Sequence, residues 1–424
     1  MNKVIPICIM LCVVCLLPSA LWAQRDKVQY LPRQNSGVLD AVVKRADSLQ
    51  AIDDSITGSI REARQKRNSD KRKNSKEIRF DFSKIDRPAS PEVFKSQFHF
   101  PPRGQFRTGT CWCFSGTSFI ESEIYRQTGQ KVKLSEMYTV YNEYLEKVRN
   151  FVRQRGDTWN GEGSEQNAVI VIMKRHGAMP EEVYPGWIGD ERFDHAKLSS
   201  EIEGYLNFIN NTNYWDEAAV IEAVKPILNK YMGEPPVTFN YDGKTMTPTE
   251  FLKDVVKINL DDYVSCISTL SKPFHKTVEY EVWDNWRHDS TYYNLPLDEW
   301  YGAIKKAVNN GYTAVLGGDV SEPGYNGMEN AAVVPDFDIP QDYINQDSRE
   351  FRFNNETTGD DHGIHLIGYT HTGGHDWYLM KDSSRRRHQG KFPGYMFYRD
   401  DYIRLKMLTF MVHKDALKGV LPSD

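Results

Sequence analysis

The fold is set by residues 104–115, GQFRTGTCWCFS, in which a glycine-containing loop leads into a cysteine. Small and apolar residues then continue to Tyr125, and Thr128-Gly129 is a typical helix end. The pattern predicts a central, buried helix with Cys111 in its first turn. At that position the unsatisfied N–H groups and the helix dipole favour a thiolate over a thiol.

The spacing around this cysteine resembles the papain superfamily of cysteine peptidases. Gln105 is followed six residues later by Cys111-Trp112, and then by Phe114-Ser115. The resemblance implies that Cys111 is the nucleophile and that the Gln105 side chain and the Cys111 N–H form the oxyanion hole. A structural cysteine is the alternative, because free cysteines are among the most buried residues. The spacing of Gln105 and Cys111 favours the catalytic interpretation.

A second segment that carries the resemblance is residues 361–369, DHGIHLIGY. Papain relatives have an Asp/Thr-His pair before an apolar strand that ends in Gly-Tyr, so the resemblance makes His362 the catalytic base. Successive strand residues point to opposite faces, so His362 and His365 should diverge. This argues against a His-x-x-His metal site and predicts a structural role for His365.

The following strand ends in KDSS, residues 381–384, where the family usually has Lys-Asn-Ser-Trp-Gly. Asp382 replaces the asparagine that orients the histidine, and Ser384 replaces the tryptophan that shields this contact from water. An aspartate can still accept the imidazole N–H and stabilise the imidazolium, so we predict Asp382 as the third catalytic member. The alternative is a surface carboxylate beside Lys381 and Arg385. Loss of the tryptophan predicts a contact that is more exposed to water.

The N-terminal residues 1–23 predict a secretory signal peptide. Lys3 is followed by a nearly all-apolar run at 4–17 and by small residues before Ala23. An uncleaved membrane anchor is the alternative, but the apolar run is shorter than the roughly 20 residues that span a bilayer. We therefore expect export to the periplasm or the extracellular space, with no stable membrane association after cleavage.

Residues 24–78 differ in composition from the rest and predict a helical, basic segment. Apolar residues recur at helical spacing, which indicates one amphipathic helix, and they are Leu39, Val42, Ala46, Leu49, Ile56 and Ile60. A basic, polar run follows at 61–73. The segment is interpreted either as a solvated linker or as an inhibitory or chaperoning propeptide.

Residues 79–424 are interpreted as one α+β peptidase domain. The resemblance, which covers roughly residues 80–418, implies a papain-like fold of two lobes, a helical lobe with the Cys111 helix and a β-rich lobe with His362. A helical pattern at about 190–265 predicts an inserted subdomain that lengthens the separation between the two. A glycine-rich loop at 159–163 lies where the family's loop lines the substrate cleft.

Shorter elements are predicted in the second half of the domain. Residues 297–309 predict a helix that ends at Asn310-Gly311, and residues 312–316 predict a strand. Residues 321–358 are polar and irregular, which predicts a long surface loop.

Composition argues against nucleic acid as a partner and against a disulfide framework. The net charge of −5 carries no basic excess, so we expect no nucleic-acid binding. Beyond the signal the chain has only Cys111, Cys113 and Cys266. Such a sparse, odd number is not a disulfide framework, although pairing of Cys113 with Cys266 remains open. We expect neither a metal nor another cofactor.

The helical insert, Thr108 and the ending VHKDAL at 412–417 resemble the bleomycin hydrolase / aminopeptidase C branch. The branch implies peptide substrates, aminopeptidase action and a homo-oligomer, often a hexamer. In it a C-terminal arm closes the cleft, and the nine residues after Asp415 would make a short arm. The alternatives are an endopeptidase with an open cleft, a weakly active peptide-binding relative, and an acyltransferase that shares the same catalytic residues.

Overall fold

The computed structural model describes residues 30–32, 36–76, 78–189, 192–384 and 390–421. The predicted signal peptide lies outside these residues. The chain divides into two compact units, residues 1–77 and residues 78–424, which are described separately.

The described part of the first unit is dominated by one long helix, α1, Gly37–Asn74. It contains the predicted amphipathic segment, and it continues through the basic run 61–73 instead of ending before it. The basic residues of its last turn suit the negative end of the helix dipole. None of its residues is buried, so its apolar side chains face solvent. Whether this segment is a linker or a propeptide stays a prediction.

The second unit contains the remaining helices and all the described strands. The helices are α2 Cys111–Thr128, α3 Glu136–Arg153, α4 Ala168–His176, α5 Ala196–Thr212, α6 Glu217–Met232, α7 Pro248–Phe251, α8 Leu297–Asn309, α9 Gln346–Asn354 and α10 Asp400–Lys406. The strands are β1 Lys95–Ser96, β2 Phe239–Tyr241, β3 Lys244–Met246, β4 Tyr263–Ile267, β5 Thr277–Val278, β6 Tyr292–Asn294, β7 Ala314–Gly318, β8 Tyr325–Asn326, β9 Ala331–Ala332, β10 His362–Thr372, β11 His375–Lys381, β12 Tyr395–Arg399 and β13 Met407–His413.

One 11-stranded sheet organises the β-rich part of this unit. Its order is β5-β6-β4-β13-β7-β10-β11-β12-β9-β8, and β1 pairs with β10. The pairing is antiparallel except between β4 and β6 and between β9 and β12. The central strand β10 lies between β7 and β11, with His362 opposite Gly318 and His365 opposite Lys381. The predicted α+β class is confirmed.

The helical part and the sheet part of this unit each have an apolar cluster as their core. The larger cluster is built mainly from α2 to α6 and includes Trp112, Phe119 and Val140. The second lies between α8, α10 and the central strands and includes Trp300 and Ile364. The two parts therefore have their own cores, and α2 packs against β10 where they meet.

The junction of α2 and β10 is unusually close. A Cβ at Gly363 would lie 2.8 Å from Ser115 Oγ and 3.2 Å from the Cα of Trp112. Only a residue without a side chain lets the strand approach the helix to this distance. The contact brings the first turn of α2 to the first residue of β10, which fixes the site described below.

The structure confirms some predicted elements and corrects others. The helix predicted at 297–309 is α8 with the same bounds. The region 321–358 was predicted as a surface loop, but it contains β8, β9 and α9 and extends the sheet edge. A two-residue strand is too short to show an alternating pattern in the sequence. Such a strand forms because an existing sheet edge supplies its pairing partner. Within the predicted insert, a β2–β3 hairpin separates the helices and β4 already belongs to the large sheet.

The cysteines and the helices settle two further points. Cys111, Cys113 and Cys266 are all free thiols, so the open pairing of Cys113 with Cys266 is not formed. None of the helices in the described ranges combines the length and the apolar character needed to cross a membrane.

Candidate active site

Cys111 is the first residue of α2, as the sequence pattern predicts. Its side chain is partly exposed, whereas Trp112 and Cys113 behind it are buried. The helix N-cap, Thr110, makes no side-chain capping hydrogen bond, so the dipole of the helix start is not offset by a cap. The preceding loop is anchored by Glu162, which accepts the N–H of Gly109 at 2.6 Å. The cysteine is thus held rigidly at a positive helix end.

His362 is the first residue of β10 and contacts both Cys111 and Asp382. Its Nε2 lies 2.9 Å from Asp382 Oδ1, and its ring also hydrogen-bonds the thiol of Cys111. Burial by itself lowers the pKa of His362, but Asp382 and Cys111 together raise that pKa well above its usual value. Because Asp382 occupies Nε2, Nδ1 is the ring nitrogen left for the cysteine.

Asp382 follows β11 and is only 1% exposed. Besides His362, three groups donate to its carboxylate: the Ser384 N–H and hydroxyl, each at 2.8 Å, and the Tyr325 hydroxyl at 2.9 Å. Burial alone would raise the pKa of Asp382, but His362 and Ser384 lower it to about 2. The expected exposure of this contact is therefore wrong, because Tyr325 and Ser384 enclose the carboxylate that the missing tryptophan would otherwise cover. Arg385, named in the surface-carboxylate alternative, lies outside the described residues.

Gln105 is buried and is held by Ser383, the residue after Asp382. Its Oε1 accepts the Ser383 hydroxyl at 2.8 Å, and its Nε2 donates to the Thr108 carbonyl at 2.9 Å. Its backbone N–H also donates to the Ser383 carbonyl at 2.9 Å. These bonds fix the amide and use one of its two N–H groups, while the other has no acceptor among the described residues. The structure thus brings three of the predicted site residues, Cys111, His362 and Asp382, into one series, and it ties the fourth, Gln105, to Ser383 beside Asp382.

His365 points away from this network, as strand alternation predicts. It is fully buried, and its Nδ1 lies 2.9 Å from Ser118 Oγ on α2. Burial, with a contribution from Lys381, lowers the pKa of His365 well below its usual value. A neutral, packed histidine is structural, which confirms the prediction. No three His, Cys, Asp or Glu side chains in the described ranges are arranged to hold a metal ion.

Three contributors were missed by sequence reasoning. Tyr325 comes from the segment predicted as a loop, and no local pattern singles it out. Ser384 was noted only as a departure from a family motif and Ser383 was given no role, yet Ser383 orients Gln105 and Ser384 hydrogen-bonds Asp382. Their position beside Asp382 was the available signal for both serines.

Comparison with known proteins points to a family of peptidases. The Peptidase C1-like family matches residues 87–418. Aminopeptidase C from Lactobacillus delbrueckii subsp. lactis is 25% identical over 52% of this chain and 58% of its own length. Aminopeptidase C from Listeria innocua is 23% identical over 54% of this chain and 61% of its own length. The chain thus spans about three-fifths of the length of these curated relatives.

A solved structure shares the fold. The crystal structure of PepW from Lactobacillus rhamnosis aligns with a TM-score of 0.63 at 18% identity. The alignment covers 78% of this chain and 85% of that chain. This similarity shows the fold of the two-lobed peptidases to which the sequence bears a resemblance.

Proposed function

This chain belongs to the Peptidase C1-like family, and on that premise we propose that it is a cysteine aminopeptidase that uses Cys111, His362 and Asp382. The observation that carries the proposal is the buried hydrogen-bonded series from Asp382 through His362 to the Cys111 thiol. A raised His362 pKa beside a thiol at a helix N-terminus favours a thiolate–imidazolium pair. The thiolate is the nucleophile, and the imidazolium is the acid that protonates the leaving group.

In the proposed reaction the Cys111 thiolate attacks the carbonyl carbon of the peptide bond. The oxyanion that forms accepts hydrogen bonds from the Cys111 N–H and from the unused N–H of the Gln105 amide. His362 gives its proton to the leaving amine, and a thioester remains on Cys111. His362 then takes a proton from water, which hydrolyses the thioester and restores the starting pair.

Asp382 has a positioning role in this scheme. It accepts the Nε2–H of His362, which holds Nδ1 towards Cys111 and stabilises the imidazolium. Its low pKa keeps the carboxylate ionised across the whole working range of pH. The burial and full hydrogen bonding of Asp382 speak against a degenerate peptide-binding relative, in which no selection would maintain four donors around one carboxylate.

Aminopeptidase action is proposed from the two bacterial relatives, both of which are named aminopeptidase C. An endopeptidase would use the same catalytic residues but would accept a blocked amino terminus. The two activities therefore differ only in how the cleft treats the amino end of the substrate.

The test uses the purified full chain beside its Cys111→Ala variant. Both are given fluorogenic peptides, each with a free and with an acetylated amino terminus. Hydrolysis of the free-amine peptides alone, absent in the variant, is the expected result. Equal hydrolysis of acetylated peptides would establish an endopeptidase instead, and hydrolysis that survives Cys111→Ala would refute the proposed nucleophile.

We further propose that the protein acts after export and as a homo-oligomer. Export is supported by the signal-like pattern of residues 1–23. N-terminal sequencing of the protein from the periplasmic and extracellular fractions tests it, with a new terminus near Gln24 expected. Light scattering of the purified protein tests the oligomer, for which the resemblance predicts six subunits.

A further inference from the structure

The loop before α2 contains a residue with a strained backbone. Phe106 has a φ of 50°, in the left-handed region that bulky residues rarely adopt. Such a conformation persists only where the surrounding contacts hold the backbone in place. The loop connects the two groups proposed to bind the oxyanion, because Gln105 precedes Phe106 and Cys111 follows five residues later. The contacts that hold the loop therefore also set the distance between these two groups.

The segment before α5 supplies the first of these contacts. The N–H of Arg107 donates to the carbonyl of Phe193 at 3.0 Å, and the N–H of His195 donates to the carbonyl of Arg107 at 3.2 Å. These two bonds form a strand-like bridge between Arg107 and Asp194. The ring of Phe106 also lies 6.4 Å from the ring of Phe193. The start of the helical insert thus holds the loop directly after its strained residue.

Glu162, from the glycine-rich loop at 159–163, supplies the second set of contacts. Its Oε2 accepts the N–H of Gly109 at 2.6 Å, and its Oε1 accepts the hydroxyl of Ser199 on α5. Its backbone carbonyl accepts the indole N–H of Trp112 at 3.2 Å. One residue therefore binds the chain on both sides of Cys111 and connects it to the insert.

The glycine-rich loop is itself held against the helical part of the unit. Lys147, on α3 and 1% exposed, donates to the carbonyl of Gly161 at 2.6 Å and to the carbonyl of Gly163. A Cβ at Gly109 would lie 2.9 Å from the Cβ of Glu162, so the two loops pack in close contact. The Glu162 carboxylate is thus carried on a fixed loop and cannot follow Gly109 if that residue moves.

The bond to Gly109 controls the direction of a nearby N–H group. The first N–H groups of a helix have no acceptor within the helix, so the N–H of Cys111 is available to an oxyanion. Gly109 lies only two residues before Cys111, and a fixed peptide plane at Gly109 limits the rotation of the planes that follow it. Without the Glu162 carboxylate the strained loop can relax, and the N–H of Cys111 turns with it.

We propose that Glu162 is a positioning residue that aligns the N–H of Cys111 with the side-chain amide of Gln105 for oxyanion binding. It acts through Gly109 and not on the substrate. Ser199 orients the carboxylate, so α5 of the helical insert contributes to the geometry of catalysis. The inference rests on the proposed function and adds a residue that the catalytic series does not include.

The test separates oxyanion binding from the reactivity of the thiol. The full chain is compared with Glu162→Ala, Glu162→Gln and Ser199→Ala. The matched controls are Glu203→Ala and Ser200→Ala, which change the same residue types at exposed positions on α5. One assay measures kcat and KM on a fluorogenic peptide with a free amino terminus. The other measures alkylation of Cys111 by iodoacetamide, a reaction that forms no oxyanion.

Glu162→Ala should lower kcat about 100-fold, because oxyanion donors act mainly in the transition state. The value of KM and the rate of alkylation should change less than threefold. Glu162→Gln, which keeps an acceptor for the Gly109 N–H, should restore kcat to within about tenfold of the wild type. Ser199→Ala should cost about fivefold in kcat and add nothing in a Glu162→Ala background.

Two results would overturn the inference. Equal losses in kcat and in alkylation would mean that Glu162 only stabilises the start of α2. An unchanged kcat in a Glu162→Ala protein that melts cooperatively would mean that the loop needs no such contact. If Glu162→Ala does not fold, Glu162→Gln and Ser199→Ala decide the matter, because their losses must also fall on kcat and not on alkylation.

A third assay distinguishes this inference from the proposed function. Acylation of Cys111 by p-nitrophenyl acetate passes through an oxyanion but needs no peptide. A wild type that cleaves no peptide would remove the proposed function, whereas acylation slowed by Glu162→Ala at an unchanged alkylation rate would uphold the inference. Peptide cleavage with a kcat that Glu162→Ala leaves unchanged would uphold the function and overturn the inference. A wild type that is not acylated would overturn both.

Discussion

Two carboxyl groups, Asp382 and Glu165, are equally deep in the protein. Asp382 is 1% exposed and Glu165 is 2% exposed. Yet the pKa of Asp382 falls to about 2, while the pKa of Glu165 rises to about 7. Burial disfavours the charged form of both, so burial cannot account for the difference.

The difference comes from the groups that face each carboxyl. Asp382 accepts hydrogen bonds from His362, Tyr325 and both donors of Ser384. Glu165 accepts one tyrosine hydroxyl and hydrogen-bonds Asp360, and it also faces the carboxyl of Asp284. Asp382 thus belongs to a completed charge network that can orient a base, whereas Glu165 does not.

The largest effect on activity is expected when the carboxylate of Asp382 is removed. Asp382→Leu should lower kcat/KM about 10³-fold, because His362 loses the acceptor that orients it and the charge that stabilises its imidazolium. Asp382→Asn keeps an acceptor oxygen and should cost only about tenfold. In Asp382→Asn the pKa of His362 falls, so the alkaline limb of the pH–rate profile should move to lower pH. Substitution of an exposed aspartate, Asp342→Asn, is the control. Near-wild-type activity of Asp382→Leu would contradict the positioning role of Asp382.

The opposite pH behaviour of Glu165 gives the next largest effect. Folding raises its pKa from 4.5 to about 7, so its stabilising contribution is full below pH 4.5 and is lost as pH rises through about 7. That loss is about 3 kcal/mol for the wild type and is absent in Glu165→Gln. Melting temperatures between pH 5 and pH 8 should therefore fall less in Glu165→Gln than in the wild type. They should also fall less than in Glu356→Gln, a control at an exposed glutamate. Parallel curves would contradict the assignment.

A smaller effect is expected at Ser383, which follows Asp382 and binds Gln105, the proposed oxyanion-hole glutamine. Ser383→Ala frees Gln105 Oε1 and should lower kcat about tenfold with KM unchanged, because the amide orientation matters most when the oxyanion forms. In a Gln105→Ala background the same change should add almost nothing. Additive losses in that double variant would mean that Ser383 acts by another route.

The smallest effect is expected at Tyr325. Tyr325→Phe removes one of the donors to Asp382 and leaves three, so the cost should be about 1 kcal/mol, or roughly fivefold in kcat/KM. The remaining donors should keep Asp382 ionised at neutral pH, and the pH–rate profile should not move. A loss as large as that of Asp382→Leu would show that Tyr325 controls the carboxylate by itself.

The sequence by itself determined the parts of the site that lie in local patterns. Residues 104–115 predicted Cys111 at the start of a buried helix, and residues 361–369 predicted His362 at the start of a strand. Strand alternation correctly separated His362 from His365. These features could be predicted because helix ends and strand faces are encoded by neighbouring residues. The helix α8 was found for the same reason.

Only the tertiary structure decided which distant residues complete the site. Tyr325 reaches Asp382 from a two-residue strand that has no pattern of its own, and Ser383 meets Gln105 across the junction of α2 and the sheet. Glu165 and Asp360 are far apart in the chain and interact only in the folded structure. Hydrophobic periodicity specifies which face is buried but not which partner it meets, and a carboxyl's pKa depends on that partner.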